Sequence, residues 1–168
     1  MASPGGILAL DLSSITGWAV GPRRLQIGDK PIAGTWHLAT SDAGALFASF
    51  ENELEDALIL HAPSILVVEA PLPLTAISNT TVWRQQLGLA CLAETSAWRH
   101  SVLFREQSAG DMRRAIVGTA QRKKGMTIKD IVGTWVRAQG WHAVDNNAAD
   151  ALLVYEFTRR ELAGRAAA

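Results

Sequence analysis

The sequence predicts a single α/β domain built on a mixed sheet, with the first three strands antiparallel, the later ones parallel, and helices flanking them. Three observations carry that prediction. Two short apolar runs, Ile7–Asp11 and Ile65–Glu69, read as buried strands, and each delivers an acid at its end. Between them Leu46, Phe47, Phe50, Leu54, Ala57 and Leu58 recur at spacings of three and four, which makes residues 43–61 an amphipathic helix. The segments follow one another as three strands, helix, strand, helix, strand and further helices, an order that suits a sheet with both faces covered.

Each element has its own signal. Pro4-Gly5-Gly6 precedes the first strand, and Ser13-Ser14 turns the chain into a returning strand at residues 16–20. Residues 32–38 alternate and carry Gly34, as an antiparallel edge does. Pro63 closes the first helix. Beyond Glu69 the pattern predicts a proline-containing loop at 70–75, a helix at 81–99, a strand at 101–104 and a short helix at 110–117. Residues 118–125 are rich in Gly, Lys and Arg without apolar periodicity and read as a loop. Helices at 127–139, ended by Gly140, and at 146–162 complete the chain. The expected domain is 7–163, with residues 1–6 and 164–168 as flexible tails.

With 168 residues, 48% of them hydrophobic, the chain can bury a core without disulfides or a structural metal. Cys91 is the only cysteine, so neither a disulfide framework nor a thiolate zinc site is available, and a cytoplasmic location is expected. No stretch reads as a signal peptide or a membrane span. The formal net charge is zero, yet the charges are unevenly placed. Residues 42–69 hold six acids and no Lys or Arg, whereas residues 105–129 hold seven basic residues against two acids. A polyanion can bind the second region although the whole protein is neutral.

Three acids stand where apolar structure has no use for them: Asp11 and Glu69 at strand ends, and Asp150 within Asp145-Asn146-Asn147-Ala148-Ala149-Asp150. Buried carboxylates are costly unless paired or bound to metal. Ligand sites in open α/β sheets gather at strand ends, where the first two can meet, and Asp150 on a small-residue helix face can complete the set. Such hard oxygen ligands suit Mg2+ or Mn2+, and two ions about 3.5–4 Å apart can stabilise the attacking and leaving oxygens of a phosphodiester displacement. The competing structural reading makes Asp11 and Asp150 caps and Glu69 a salt-bridge partner. All three sharing that fate is the less economical account.

Four segments in order extend the pattern: ILALDLSSITGWAV, ILVVEAP, DMRRAIVG with a basic loop and TIKDIV, and DNNAADALLV. Together they resemble the RuvC-type Holliday-junction resolvases of the ribonuclease H-like superfamily, the last segment most closely the phage-type branch. The resemblance covers roughly residues 7–157. It implies a ribonuclease H-like fold, Asp11, Glu69 and Asp150 as metal ligands, and metal-dependent hydrolysis of four-way DNA junctions by a homodimer. One departure is Asn147, where family members often carry Asp or His. An amide can coordinate through its oxygen but supplies no charge and no base. Asp145 is the alternative fourth acid, although five residues along a helix place it off the face of Asp150.

By the same resemblance Arg113 and Lys129 contact the region of the scissile phosphate, and Arg114, Arg122, Lys123 and Lys124 extend that patch, giving salt-sensitive affinity. The loop after Glu69 offers Leu72 and Leu74 where relatives place an apolar wedge against the junction's bases; a wedge and a core role both fit leucine. Trp83, Trp98, Trp135 and Trp141 sit in helical settings that suit core or interface packing better than base stacking. Leu87, Leu89, Ala90, Leu92 and Ala93 either form the dimer or cover the sheet. The rival functions are a YqgF-type nuclease acting on RNA or other branched DNA, a non-catalytic junction-binding protein, and an actin-like or sugar-kinase ATPase, whose second half does not fit this length.

Overall fold

The computed structural model describes residues 5–73, 75, 79–118 and 125–166. At its centre β1 (Ile7–Asp11) pairs on both sides, antiparallel with β2 (Ile15–Gly21) and parallel with β4 (Ile65–Glu69). β3 (Ile32–His37) extends the antiparallel side and β5 (Leu103–Gln107) the parallel side, so the sheet runs β3-β2-β1-β4-β5. This is the mixed sheet that the sequence predicts.

Strand alternation divides the core in two. Leu8, Leu10, Val20, Leu66 and Val68 face one layer, covered by α1 (Ala43–His61) and α2 (Thr80–Arg99). Ile7, Ala9, Ala19, Ile65 and Val67 face the other, covered by α3 (Ala109–Val117), α4 (Ile128–Ala138) and α5 (Asn146–Ala166). Leu89, Ala90 and Ala93 of α2 are buried in the first layer, which settles their role as sheet cover, while Leu87 and Trp98 point outward. Trp135 and Trp141 pack edge to face, ring centroids 5.6 Å apart, against the second layer. Trp98 does not fit the expected packing role within this chain, being 81% exposed.

Helix ends follow their signals. Asp42 caps α1, accepting from the Ala45 amide, and α1 ends with Ala62 in the left-handed region at φ 41°, just before Pro63. β5 starts two residues later than the sequence predicts, because Ser101 turns at φ 56° and the Val102 amide bonds back to the Ala97 carbonyl. It then runs on through polar Arg105, Glu106 and Gln107, as an edge strand can. α5 also runs past residue 162, to Ala166. Among the described residues no helix is long and apolar enough to cross a membrane.

The position of α5 is set by glycines on β2. A Cβ on Gly17 would lie 1.9 Å from the Asn147 carbonyl oxygen, and one on Gly21 would lie 2.6 Å from the Tyr155 hydroxyl. The eight residues from Asn147 to Tyr155 rise about 12 Å in a helix, and the four from Gly17 to Gly21 span about 13 Å in a strand. The helix thus meets the strand backbone to backbone at Gly17 and through the Tyr155 ring at Gly21. Replacing Gly17 with Ala forces two main chains apart and is expected to cost about 3 kcal/mol or more, read by urea denaturation. Gly164→Ala, where an added Cβ meets nothing within 4 Å, should instead stabilise by up to ~0.5 kcal/mol. Equal effects from the two changes would refute this account of how α5 is seated.

Candidate active site

Period-two alternation places Asp11 on the face of Ile7 and Ala9, and Glu69 on the face of Ile65 and Val67. Both acids thus project toward α5. The parallel register ends at Leu10↔Val68, so Asp11 and Glu69 are the next pair across, on neighbouring strands about 4.8 Å apart. Asp150 reaches them from the first turns of α5, where Ala148, Ala149 and Ala151 leave room for close packing. Three carboxylates from β1, β4 and α5 therefore share one end of the sheet.

Their electrostatics show the cost. Burial, then the neighbouring charges of Glu69 and Asp150, push the Asp11 carboxyl from an ordinary 3.8 up to about 7, against the pull of Arg113 and Lys129. Burial also raises Glu69 and Asp150, although Arg113 counteracts it at both and Lys129 at Asp150. The Arg113 guanidinium stands 3.8 Å from Glu69 Oε2, a loose ion pair, and its Nε is buried without a hydrogen-bond partner. Asp150 Oδ1 is likewise buried and unpartnered. Two cations near three acids leave an Asp150 oxygen unsatisfied.

The other candidate residues divide. Leu72, 46% exposed, lines a cleft of about 50 Å³ together with Asp11, Glu69, Pro71 and Gln86, so it stands at the site rather than in the core. Lys129, in the first turn of α4, acts on both Asp11 and Asp150. Arg114 turns away and pairs with Asp111 in solvent. Asn147 supplies its main-chain carbonyl to the contact with Gly17 at the start of α5. Asp145 is committed elsewhere: its Oδ1 accepts from the Ala148 amide at 2.8 Å and its Oδ2 from the Thr35 hydroxyl at 2.8 Å, capping α5. Burial pushes its carboxyl upward, but these bonds outweigh that and hold it below the ordinary range. Leu74, Arg122, Lys123 and Lys124 lie outside the described residues.

Gln86 was not foreseen from the sequence. It falls among the polar residues of an amphipathic helix, and only the seating of α2 shows that its Oε1 is buried, unpartnered and beside Asp11 and Glu69. No spacing in the sequence announces it.

The donor set fits a hard divalent cation, since it consists of carboxylate oxygens whose mutual repulsion a cation would relieve. Among the described residues no group of three His, Cys, Asp or Glu side chains closes on a single point. Asp11, Glu69 and Asp150 are the residues that would hold such an ion.

No protein-family model and no curated protein matches the chain by sequence. Solved structures do. Thermus thermophilus RuvC superposes with a TM-score of 0.69 at 15% identity, covering 96% of this chain and 96% of that one. T. thermophilus RuvC in complex with a Holliday junction substrate gives 0.75 at 13% identity, over 97% and 96%. The chain has the RuvC fold. The yeast mitochondrial Holliday junction resolvase Ydc2 also matches, with a TM-score of 0.66 at 11% identity over 97% of this chain and 81% of that one. The RuvC fold is ribonuclease H-like, so the architecture expected from the sequence is the one found.

An acid whose pKa is raised on folding is destabilising when ionised. The Asp11 penalty is absent below pH ~4, grows as pH rises, and is complete above pH ~7. Asp11→Asn is therefore expected to unfold at a higher temperature than the unsubstituted protein at pH 8 in EDTA, with the advantage shrinking as pH falls from 7 to 4. A difference independent of pH would contradict the buried, mutually repelling arrangement.

Proposed function

We propose that the protein is a metal-dependent endonuclease that resolves four-way DNA junctions by paired phosphodiester hydrolysis. The observation that carries this reading is that Asp11, Glu69 and Asp150 share one sheet end, each with a raised pKa, with Arg113 and Lys129 beside them. Acids whose pKa values are perturbed by burial and by one another, in a cleft, are functional-site candidates. The structural neighbours include RuvC bound to a Holliday junction substrate, which favours that substrate class.

In this reading Asp11, Glu69 and Asp150 are the metal ligands and the catalytic carboxylates. Mg2+ or Mn2+, when bound there, supplies activation of water and neutralisation of charge at the phosphate, and two ions suit the chemistry. Arg113 draws the phosphate toward the carboxylates and steadies the charge that develops on it. Lys129 at the amino end of α4 adds a second cation, and Leu72, which lines the cleft, presses on bases at the branch in this reading. Asn147 can offer an amide oxygen but no base. Arg122, Lys123 and Lys124 extend the phosphate contacts, whereas Arg114 with its Asp111 partner contributes least. Paired nicking requires two such centres, so the active form is a homodimer.

The decisive assay compares a labelled four-way junction with linear duplex, forked DNA and structured RNA in Mg2+, Mn2+ and EDTA. Metal-dependent, paired nicks in the junction are expected, and Asp11→Asn, Glu69→Gln and Asp150→Asn should each abolish them while junction binding persists. Preference for RNA or forks would keep a nuclease and change its substrate; tight junction binding without cleavage would make the protein a junction-binding module. Lys129→Ala is expected to weaken binding and to lower the slope of log affinity against log salt by about 0.9. An unchanged slope would remove Lys129 from the phosphate contacts.

A further inference from the structure

A second opening lies one helical turn along α2 from the carboxylate cleft. It is a depression of about 390 Å³ at the amino ends of α1 and α2, lined by Ala43, Thr80, Thr81, Trp83, Arg84 and Gln85. Residues three apart on a helix share a face, so Trp83 stands on the side of Gln86, about 4.5 Å along the axis. The two openings are consecutive stations on one helix.

Their sizes suit different occupants. The 50 Å³ beside Asp11 and Glu69 admits a few ions or waters, at about 10–15 Å³ each. The 390 Å³ beside Trp83 lies within the range of about 300–1,000 Å³ found for organic ligands.

The lining narrows the choice. Trp83 is half-buried in the lining and the only aromatic residue there among the described residues, while Thr80, Thr81 and Gln85 bring polar groups and Arg84 an exposed cation. Asp42, the cap of α1, places a carboxylate next to Ala43 at the rim, which disfavours a phosphate inside. A flat, uncharged ring attached to an anionic chain satisfies both conditions. We infer that this pocket receives an unstacked nucleobase of the DNA strand whose phosphate lies at the carboxylates, with Trp83 as its stacking platform. Bases at a branch point are already imperfectly stacked, so withdrawing one there costs least. The inference rests on the nuclease reading of the adjoining cleft and adds a base-binding station to it.

The test is binding in EDTA, where no hydrolysis occurs, to four-way junctions carrying a single abasic site moved step by step through the nucleotides around the branch. One abasic position should weaken binding about ten-fold, and Trp83→Ala should weaken binding to the intact junction by a similar factor. Combining the two should add nothing, and Trp83→Phe, which keeps an aromatic face and guards against misfolding, should retain most of the affinity. Additive losses, or no sensitive position, overturn the inference. So does a Trp83→Ala protein that sediments as a smaller species and binds every junction equally poorly, which would make the pocket a contact between two copies of the chain. Because this readout needs no cleavage, its failure is separable from a failure of the metal-dependent nicking assay.

Discussion

The carboxylate end of the molecule depends on how near α5 approaches β2. With Gly17 in the strand the helix backbone settles where a side chain would otherwise stand, and with Gly21 the Tyr155 ring does. Two further ties fix its rotation and slide: Asp145 joins the start of α5 to Thr35 on β3, and the Tyr155 hydroxyl donates to the Pro22 carbonyl just past β2. The helix is thereby held at three points to the antiparallel side of the sheet, β1 to β3, that also carries Asp11. Asp150 cannot drift from Asp11 without breaking backbone packing, and this rigidity is what a site of several converging groups requires.

That rigidity confines like charges. Three acids sit in a partly desolvated space with Arg113 at 3.8 Å from one of them and Lys129 nearby, and the raised pKa values show that these cations do not balance burial. Closer ion pairs would have stabilised the fold and closed the site. In the proposed nuclease this looser arrangement is what leaves Asp150 Oδ1 for a cation and Arg113 for an anionic substrate, with stability given up for binding capacity.

What the sequence made legible follows from which features are local. Asp11 and Glu69 stand out because alternation and strand ends are read along a few residues, and Asp150 stands out because three alanines beside an acid advertise a close helix contact. Features that depend on helix seating were less visible. Arg113 and Arg114 are neighbours in sequence but about 100° apart around α3, so one reaches the acids and the other pairs with Asp111. Asp145 resembles a fourth ligand in the sequence and is a cap in space. Gln86 gained its importance only from where α2 lies, since nothing in its spacing distinguishes it from the solvent face of any amphipathic helix, and Trp83, which the sequence suggests for core or interface packing, stands half-buried in the lining of a depression. The dual reading of the α2 leucines needed the same information to resolve.

α5 also contains its own control for the interpretation of buried acids. Glu156, six residues after Asp150, is 2% exposed, as buried as any acid in the described chain. Burial pushes its carboxyl upward, but Arg159 donates to both its oxygens at 2.7 and 2.8 Å and Arg160 donates to Oε1 at 2.7 Å, and together they hold it below the ordinary range. This is how a buried acid looks when it serves the fold: paired, satisfied and ionised. Asp150 shares the helix, the core layer and nearly the same burial, yet it keeps an oxygen without a partner and a raised pKa. Because two arginines on the same helix suffice to satisfy Glu156, the want of such partners around Asp150 cannot be laid to its position in α5. What distinguishes the two acids is the company each keeps, and the company of Asp150 is two more carboxylates.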